Sequence, residues 1–380
     1  MRPPQYRQGM PNQGMPRQGV PPQQPKKGSR KKKVAIAVTV VLVVLLASAT
    51  FVFLYLRRAL DTAPEMRSSP KGSERMDIIA NSSWQITGNR RDTNRYTFLL
   101  LGADYGEYNT DVIMVATFDV SEHTFSVVSI PRDTLVNVSW NTKKANSLLA
   151  NMRARHSGDA DAMQATVEQF ANILGYEVDY WMLVNIQAFV SLVDAIGGVD
   201  FYVPVNMNYD DRAGGLSIHY TQGNHHLTGQ QALEVVRFRA GYSNADIGRI
   251  DTQQSFLKSA AQQILDQRDS LSVMELARIF LANVRTDMQL DDLIWFGREF
   301  LRLDADSVDF YVMPGNTGDS VRSQSYVTIY VDEWLELINS VFNPFSRDVT
   351  PDDVSILTRG SDRRLYVTDG NRQGDASWGS

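Results

Sequence analysis

The apolar positions of this 380-residue chain fall into three regimes. Residues 1–33 have almost none in periodic order: RQGMP, NQGMP and RQGVP repeat over 7–21, then PPQQPKKGSRKKK follows. Chain so rich in Pro, Gly and Gln buries too little surface to fold, which predicts a disordered tail. Residues 34–56, VAIAVTVVLVVLLASATFVFLYL, are 23 consecutive positions without a charge. At about 1.5 Å per residue, a helix of that length crosses a hydrocarbon layer of about 30 Å. A stalk over 57–94 comes next, and beyond it the pattern becomes that of a globular α/β domain.

YTFLLLGADYG (96–106) is an apolar run closed by Gly and Asp, the form of a buried strand leading into a loop. DVIMVATFDV and TFSVVSIPRDTLV, separated by SEH, predict a hairpin of strands rich in β-branched residues. DADAMQATVEQFANILG (159–175) has helical periodicity and ends on Gly. DYWMLVNIQAFVSLVDAIGGVDFYV predicts strand, helix, Gly-Gly turn and strand. LTGQQALEVVRFR opens with Thr228 and Gln231 at capping-box spacing. DIGRIDTQQSFLKSAAQQILDQ predicts a longer amphipathic helix with Asp246 as its N-cap. Strands alternating with helices over 95–266 predict a layered α/β/α core with a central mixed sheet, preceded by a single transmembrane helix. Residues 267–345 add two or three helices and a strand or two packed on that core, and 346–380 read as a polar tail.

Charge and composition sharpen this picture. The net charge is -5, yet residues 1–33 hold nine Lys and Arg and no acid, so the body of the chain is acidic. An acidic body with a short basic head does not fit a nucleic-acid binder. The basic end of the head suits anionic lipid headgroups, and a topology signal alone also explains it. Lys31–Lys33 outweigh Arg57 and Arg58, which places the N-terminus in the cytoplasm and everything after residue 58 outside. Ala47-Ser48-Ala49 has the form of a signal-peptide cleavage site. The apolar run continues past it to Leu56, longer than a signal core of about 7–15 residues, which favours an uncleaved anchor. Cysteine is absent, removing disulfides, thiolate nucleophiles and cysteine metal sites together.

No nucleophile-elbow, P-loop or zincin motif is present. His225 and His226 are adjacent and cannot share one helix face, and the aromatic residues over 180–182 and 201–203 read as core. The candidate chemistry lies in four segments at strand ends or helix starts: Asp104 after LLLG, Asp111 in YNTDVIMV, Arg132-Asp133 in SIPRDT, and RFRAGYSNADIGRIDTQQSFL (237–257). Surface ion pairs explain any one of them. Their recurrence where open α/β sheets bind ligands points to a site. Arg237 and Arg239, two apart, project to one side of an extended backbone. Asp246, Arg249 and Gln253 share a face of the following helix near its positive end. Several guanidiniums there suit a pyrophosphate. Asp104 and Asp111, as hard oxygen donors, suit a Mg²⁺ or Mn²⁺ bridging its oxygens.

With those residues in view, the chain resembles the LytR-CpsA-Psr family of cell-wall assembly proteins. The segments FLLLGAD, TDVIMVATFD, VVSIPRDTLV, AIGGVDFYVP, LTGQQALEVVRFR and DIGRIDTQQ carry the resemblance, in family order over about residues 96–266. It implies an α/β fold with a central sheet and a hydrophobic channel for a polyprenyl chain. It implies transfer of a glycopolymer phosphate, of teichoic-acid or capsular type, from an undecaprenyl-pyrophosphate carrier to peptidoglycan. By the same resemblance Asp104 and Asp111 bind the metal, and Arg132, Arg237, Arg239, Arg249 and Gln253 bind the pyrophosphate. Arg132, Arg237, Arg239 and Asp246 then make up the catalytic group, with Asp246 as base or arginine-orienting residue. The chain departs from the family at Asn109 and Thr252, where relatives usually carry Arg. Two functions stay open on this reading: a glycopolymer phosphotransferase, and a non-catalytic polyprenyl-phosphate binder acting as scaffold or regulator.

Overall fold

A computed structural model of the chain describes residues 62–64, 90–91, 94–104, 109–211, 216–238, 245–321, 323–359 and 365–368. The chain divides into two compact units, Met1–Ala59 and Leu60–Ser380, and every described residue lies in the second. The basic head and the expected transmembrane run over 34–56 fall outside the described residues. Among the described residues, no helix is long and apolar enough to cross a membrane.

The sequence RYTFLLLGA forms β1 (Arg95–Ala103), buried on both faces as a central strand must be. β2 (Thr110–Asp119) and β3 (Thr124–Ser129) form the expected antiparallel hairpin, with His123 in the left-handed region at its turn. α1 (Leu148–Arg155) and α2 (Asp159–Leu174) cross over to β4 (Tyr180–Asn185), which runs parallel to β1. Gly175 ends α2 at φ 83°, and a Cβ there would stand 2.4 Å from a methyl of Val349. α3 (Ile186–Ala195) begins directly at Asn185, whose side chain accepts from the Ala188 N–H at 2.8 Å.

Two small antiparallel ribbons follow. β5 (Val199–Val203) pairs with β8 (Gly223–Leu227), and β6 (Met207–Asp211) pairs with β7 (Leu216–Tyr220). α4 (Gly229–Arg237) starts at the Thr228–Gln231 capping box, in which the Thr228 N–H donates to Gln231 Oε1 at 3.0 Å. α5 (Ala245–Asp266), α6 (Val273–Asn283), β9 (Arg285–Thr286), α7 (Leu290–Phe300) and β10 (Val308–Val312) come next. β11 (Gly315–Val321), β12 (Gln324–Ile329), α8 (Val331–Leu337), β13 (Leu357–Arg359) and β14 (Leu365–Val367) complete the described chain.

The central sheet has the order β10-β3-β2-β1-β4-β9 and mixes parallel with antiparallel pairs. Alternation along the strands sends Leu99, Leu101, Ile113, Val115, Val128 and Leu183 to one face. There α2 residues Met163, Val167, Phe170 and Leu174 cover them, together with Trp334 of α8. Tyr96, Phe98, Met114, Phe118 and Tyr180 point to the other face, toward Leu265 of α5 and Trp295 and Phe296 of α7. The result is helix, sheet and helix in three layers, as expected. Where β1 and β4 begin, buried Asp179 accepts from both amino groups of Arg90 (2.7 Å each) and from the Thr97 N–H and hydroxyl.

The region after 266 is richer in strands than its sequence suggests. β9 and β10 are the two edges of the central sheet, and each depends on pairing with a strand far away in sequence. The polar tail expected over 346–380 is corrected over its first part. Val349, Val354 and Ile356 lie in the main core, and Leu357 is buried against Leu135 and Tyr326.

Candidate functional site

The far end of the sheet, where β1 and β4 finish and β2 begins, opens into a cavity of about 970 Å³. Its floor is the second face of the sheet: Phe98, Leu100, Met114, Phe118, Phe125, Met182 and Val184. Its walls come from α3 (Phe189, Leu192, Ile196), α5 (Phe256, Leu257, Ala260, Ile264), α6 (Leu276, Phe280) and α7 (Leu293, Phe296, Phe300). Polar lining is confined to a few groups: Asp104, Asp111, Asn185, Tyr209, Arg237, Arg249 and Gln253.

Backbone geometry explains how the two aspartates reach the same space. β1 and β2 pair in steady register from Arg95–Asp119 to Gly102–Val112, after which Ala103 faces Thr110. Asp111 is therefore an extra residue, a bulge. Strict alternation would send its side chain to the opposite face with Ile113; the bulge re-aims it toward the cavity. Gly102 sits at this irregularity, where a Cβ would lie 2.8 Å from Val112 Cβ. Asp104 follows one residue beyond Ala103, its N–H bonded to the Asn109 carbonyl at 3.2 Å, which closes the loop between the two carboxylates.

The cationic side is built by α4 and α5. Arg249 is buried, 3% exposed, and it shares a face of α5 with Gln253 one turn on. Gln253 Nε2 donates to the Val236 carbonyl at 3.2 Å, tying α5 to the end of α4 where Arg237 stands. Gln254 donates to Ser129 Oγ (3.0 Å) and to the Tyr311 carbonyl (2.7 Å), holding α5 over β3 and β10. Thr252 is buried and its hydroxyl bonds back to the Gly248 carbonyl at 2.9 Å, so this position supplies no charge to the site.

Two geometric expectations need correction. Arg237 is the last residue of α4 and not part of an extended pair, because the capped helix runs through it. Asp246 lies inside α5 and is not its N-cap, since the helix includes Ala245. Arg239 and the side chain of Asp246 lie outside what the structure describes. Arg132 is brought to the site but stands outside the cavity lining, its Nη1 donating to Asp111 Oδ1 at 2.8 Å. Behind it Asp133 accepts from Lys144 Nζ at 2.9 Å.

Sequence reasoning passed over three residues. Asn185 had a legible signal as the residue between a strand and a helix, the N-cap position. Lys144, which pairs with Asp133, and Tyr209, at the cavity and 40% exposed, carry no local signal that places them beside the site. Among the described residues, no group of three or more His, Cys, Asp or Glu side chains is placed to hold a metal ion. Two carboxylates on one polar rim still fit Mg²⁺, which usually takes one or two carboxylates and completes its shell with water and phosphate oxygens.

Comparison with known proteins agrees with this architecture. The model of the LytR_cpsA_psr family matches residues 56–343. The polyisoprenyl-teichoic acid–peptidoglycan teichoic acid transferase TagU of Bacillus mycoides (strain KBAB4) is 33% identical over 202 residues, 52% of this chain and 62% of that protein. TagV of Bacillus subtilis (strain 168), which carries the same transferase name, is 26% identical over 219 residues, 55% of this chain and 54% of that one. The matches thus span less than two thirds of these relatives' lengths. The crystal structure of B. subtilis TagV shares the fold, with a TM-score of 0.53 at 20% identity over 66% of this chain and 96% of that chain.

Proposed function

The chain belongs to the LytR_cpsA_psr family, and from that premise we propose that it is a phosphotransferase of cell-wall assembly. It moves a glycopolymer phosphate, of teichoic-acid or capsular type, from an undecaprenyl-pyrophosphate carrier to peptidoglycan. One observation carries the reading: a large apolar cavity whose polar lining is two carboxylates, two arginines, Asn185, Tyr209 and Gln253. Its volume lies at the upper end of the range of about 300–1,000 Å³ for small-molecule sites. An apolar chamber with an anion-binding rim matches a ligand that is hydrocarbon at one end and pyrophosphate at the other.

In the reaction, a hydroxyl oxygen of a peptidoglycan sugar attacks the phosphorus that bears the glycan. A new phosphorus–oxygen bond forms there as the bond to the bridging oxygen breaks, and the carrier departs as polyprenyl monophosphate. Arg249, Arg237 and Arg239 hold the phosphoryl oxygens and offset the charge that gathers on the leaving phosphate. Burial of Arg249 strengthens that contact, because water competes weakly there. Asp246, in the first turn of α5, takes the hydroxyl proton or orients the arginines. Asp104 and Asp111 would hold Mg²⁺ or Mn²⁺, which supplies further neutralisation of the pyrophosphate. The run over 34–56 would anchor the protein with its N-terminus in the cytoplasm and its catalytic domain outside, beside a carrier that stays in the membrane.

The test is transfer by the full chain in lipid nanodiscs, supplied with a lipid-pyrophosphate glycan and peptidoglycan oligomers. Glycan should become covalently attached with Mg²⁺ present and not with chelator. Arg249→Met should lower carrier affinity by about ten-fold or more, the scale of a charge-assisted hydrogen bond. Tight carrier binding without any transfer would replace the enzyme by the scaffold reading. Absence of carrier binding would remove both.

A further inference from the structure

Asp111 is claimed from two directions. It lines the cavity, on the side where the carrier's pyrophosphate is read to bind, and from behind it accepts from Arg132 Nη1 at 2.8 Å. Arg132 itself does not line the cavity, and its link to the chamber is this contact with the lining residue Asp111. The guanidinium has a second neighbour, since its Nε is 3.9 Å from Asp133 Oδ2, and Asp133 is held by Lys144 at 2.9 Å. Pro131 and Thr134 fix the turn that carries it, the Thr134 N–H and hydroxyl both donating to the Pro131 carbonyl. Arg132 is thus a long cationic side chain on a fixed base, with Asp111 among the groups at its tip and Asp133 near its stem.

We propose that Arg132 exchanges partners: it holds Asp111 until that carboxylate turns to a divalent ion, and the guanidinium then moves past it to the pyrophosphate. The inference rests on the reading of Asp104 and Asp111 as metal ligands and of the arginines as phosphate ligands. Three features favour an exchange. The pair is partly open to water, with side chains 24% and 42% exposed, and pairs of that kind are worth only about 0–1 kcal/mol, so parting costs little. A guanidinium and a divalent cation on the same carboxylate repel one another. Asp133, 3.9 Å from Arg132 Nε, is already held by Lys144 at 2.9 Å and does not hydrogen-bond that nitrogen, so it does not fix the guanidinium against movement. Asp111 as a bulge residue suits the role, because its carboxylate stands between the sheet end and the chamber.

Exchange makes the contribution of Arg132 to phosphate affinity conditional on the metal, which neither fixed arrangement does. The test uses the full chain, inorganic pyrophosphate as probe, and calorimetry at saturating Mg²⁺ or in chelator. With Mg²⁺, Arg132→Gln should weaken pyrophosphate binding by about ten-fold or more, the scale of a hydrogen bond between charged groups. In chelator the loss should be smaller by up to about five-fold, because drawing the guanidinium off Asp111 then costs up to about 1 kcal/mol. Mn²⁺ binding without pyrophosphate, followed by its paramagnetic resonance signal, should tighten in Arg132→Gln by up to about five-fold, the value of the lost competing pair. Asp111→Asn supplies an independent arm. In chelator it should bind pyrophosphate more tightly than the unaltered chain, and adding Arg132→Gln should abolish that gain.

Equal losses with and without Mg²⁺ would mean that Arg132 reaches phosphate directly, and would overturn the exchange. No loss in either condition would mean that it never leaves Asp111, with the same consequence. A chain that binds neither Mn²⁺ nor pyrophosphate would overturn the underlying reading of the site, and the exchange with it.

Discussion

Tyr96 and Asp179 show how single residues couple stability to pH. Tyr96 is buried at the start of β1, where its hydroxyl donates to the Pro64 carbonyl at 3.2 Å. Burial, reinforced by the Asp179 carboxylate, pushes its pKa up to about 12. Tyr176 and Tyr180 are raised too, in each case chiefly by burial. A folded-state pKa above the unfolded value of about 10 means a stabilisation fully present below pH 10 and lost as pH climbs through 12. Urea midpoints should therefore fall between about pH 10 and 12, by linkage about as steeply as up to three extra protons released on unfolding allow, one for each of these tyrosines. Tyr96→Phe should flatten that fall, whereas an identical pH dependence in the variant would show that folding does not raise the Tyr96 pKa. The site aspartates teach another residue-scale lesson. Asp104 was legible as the residue ending an apolar run, but the aim of Asp111 depends on a bulge that alternation in one strand does not reveal.

At the scale of elements, the helices over the cavity divide the work. α5 brings Arg249 and Gln253 to the rim and lines the interior with Phe256, Leu257, Ala260 and Ile264, and its position over the sheet rests on the bonds of Gln254. Ala260 is small, and its Cβ faces the chamber from one helical turn beyond Phe256. Ala260→Trp should fill part of the chamber. Long-chain polyprenyl pyrophosphate should then bind about ten-fold more weakly or worse, the cost of excluding one or two apolar groups of about 1.5–3 kcal/mol each. Inorganic pyrophosphate should bind as before. Equal loss of both ligands would place the damage at the rim and contradict the separation of tail from head group. These helices were predicted as helices from periodicity, but which face looks into a chamber was not. α6 and α7 fall among the two or three helices expected after residue 266, and an apolar stripe has the same composition whether it meets a core or lines a cavity.

Across the whole molecule, the layer of the fold opposite the cavity is completed from the end of the chain. Arg91 donates to Asp348 and to the Phe345 carbonyl, Tyr176 donates to the Phe342 carbonyl, and Val349, Val354 and Ile356 fill the core beneath α2. Each such side chain contributes about 1.5–3 kcal/mol, and the net stability of a domain is about 5–15 kcal/mol. Ending the chain at residue 343 should therefore give an aggregated or unfolded product by circular dichroism and gel filtration. A soluble, cooperatively melting product would show that the core closes without this segment. Polar residues dominate the stretch by count, which is why its few spaced apolar positions were read as a tail.

Local order was the sequence's to decide. Apolar alternation, the Thr228–Gln231 box, Asn185 before α3 and Gly175 after α2 act over a few residues, so β1 to β4 and the main helices follow from composition and spacing alone. The charges in RFRAGYSNADIGRIDTQQSFL and the two aspartates were likewise visible, along with the ligand class they suit. Tertiary structure decided the rest. It made β9 and β10 the edges of the sheet, turned Asp111 into the chamber, buried Arg249, and set Arg132 behind Asp111 with Lys144 in support. Each of these depends on contacts between residues far apart in the chain, whose free energy is gained only once the layers have packed.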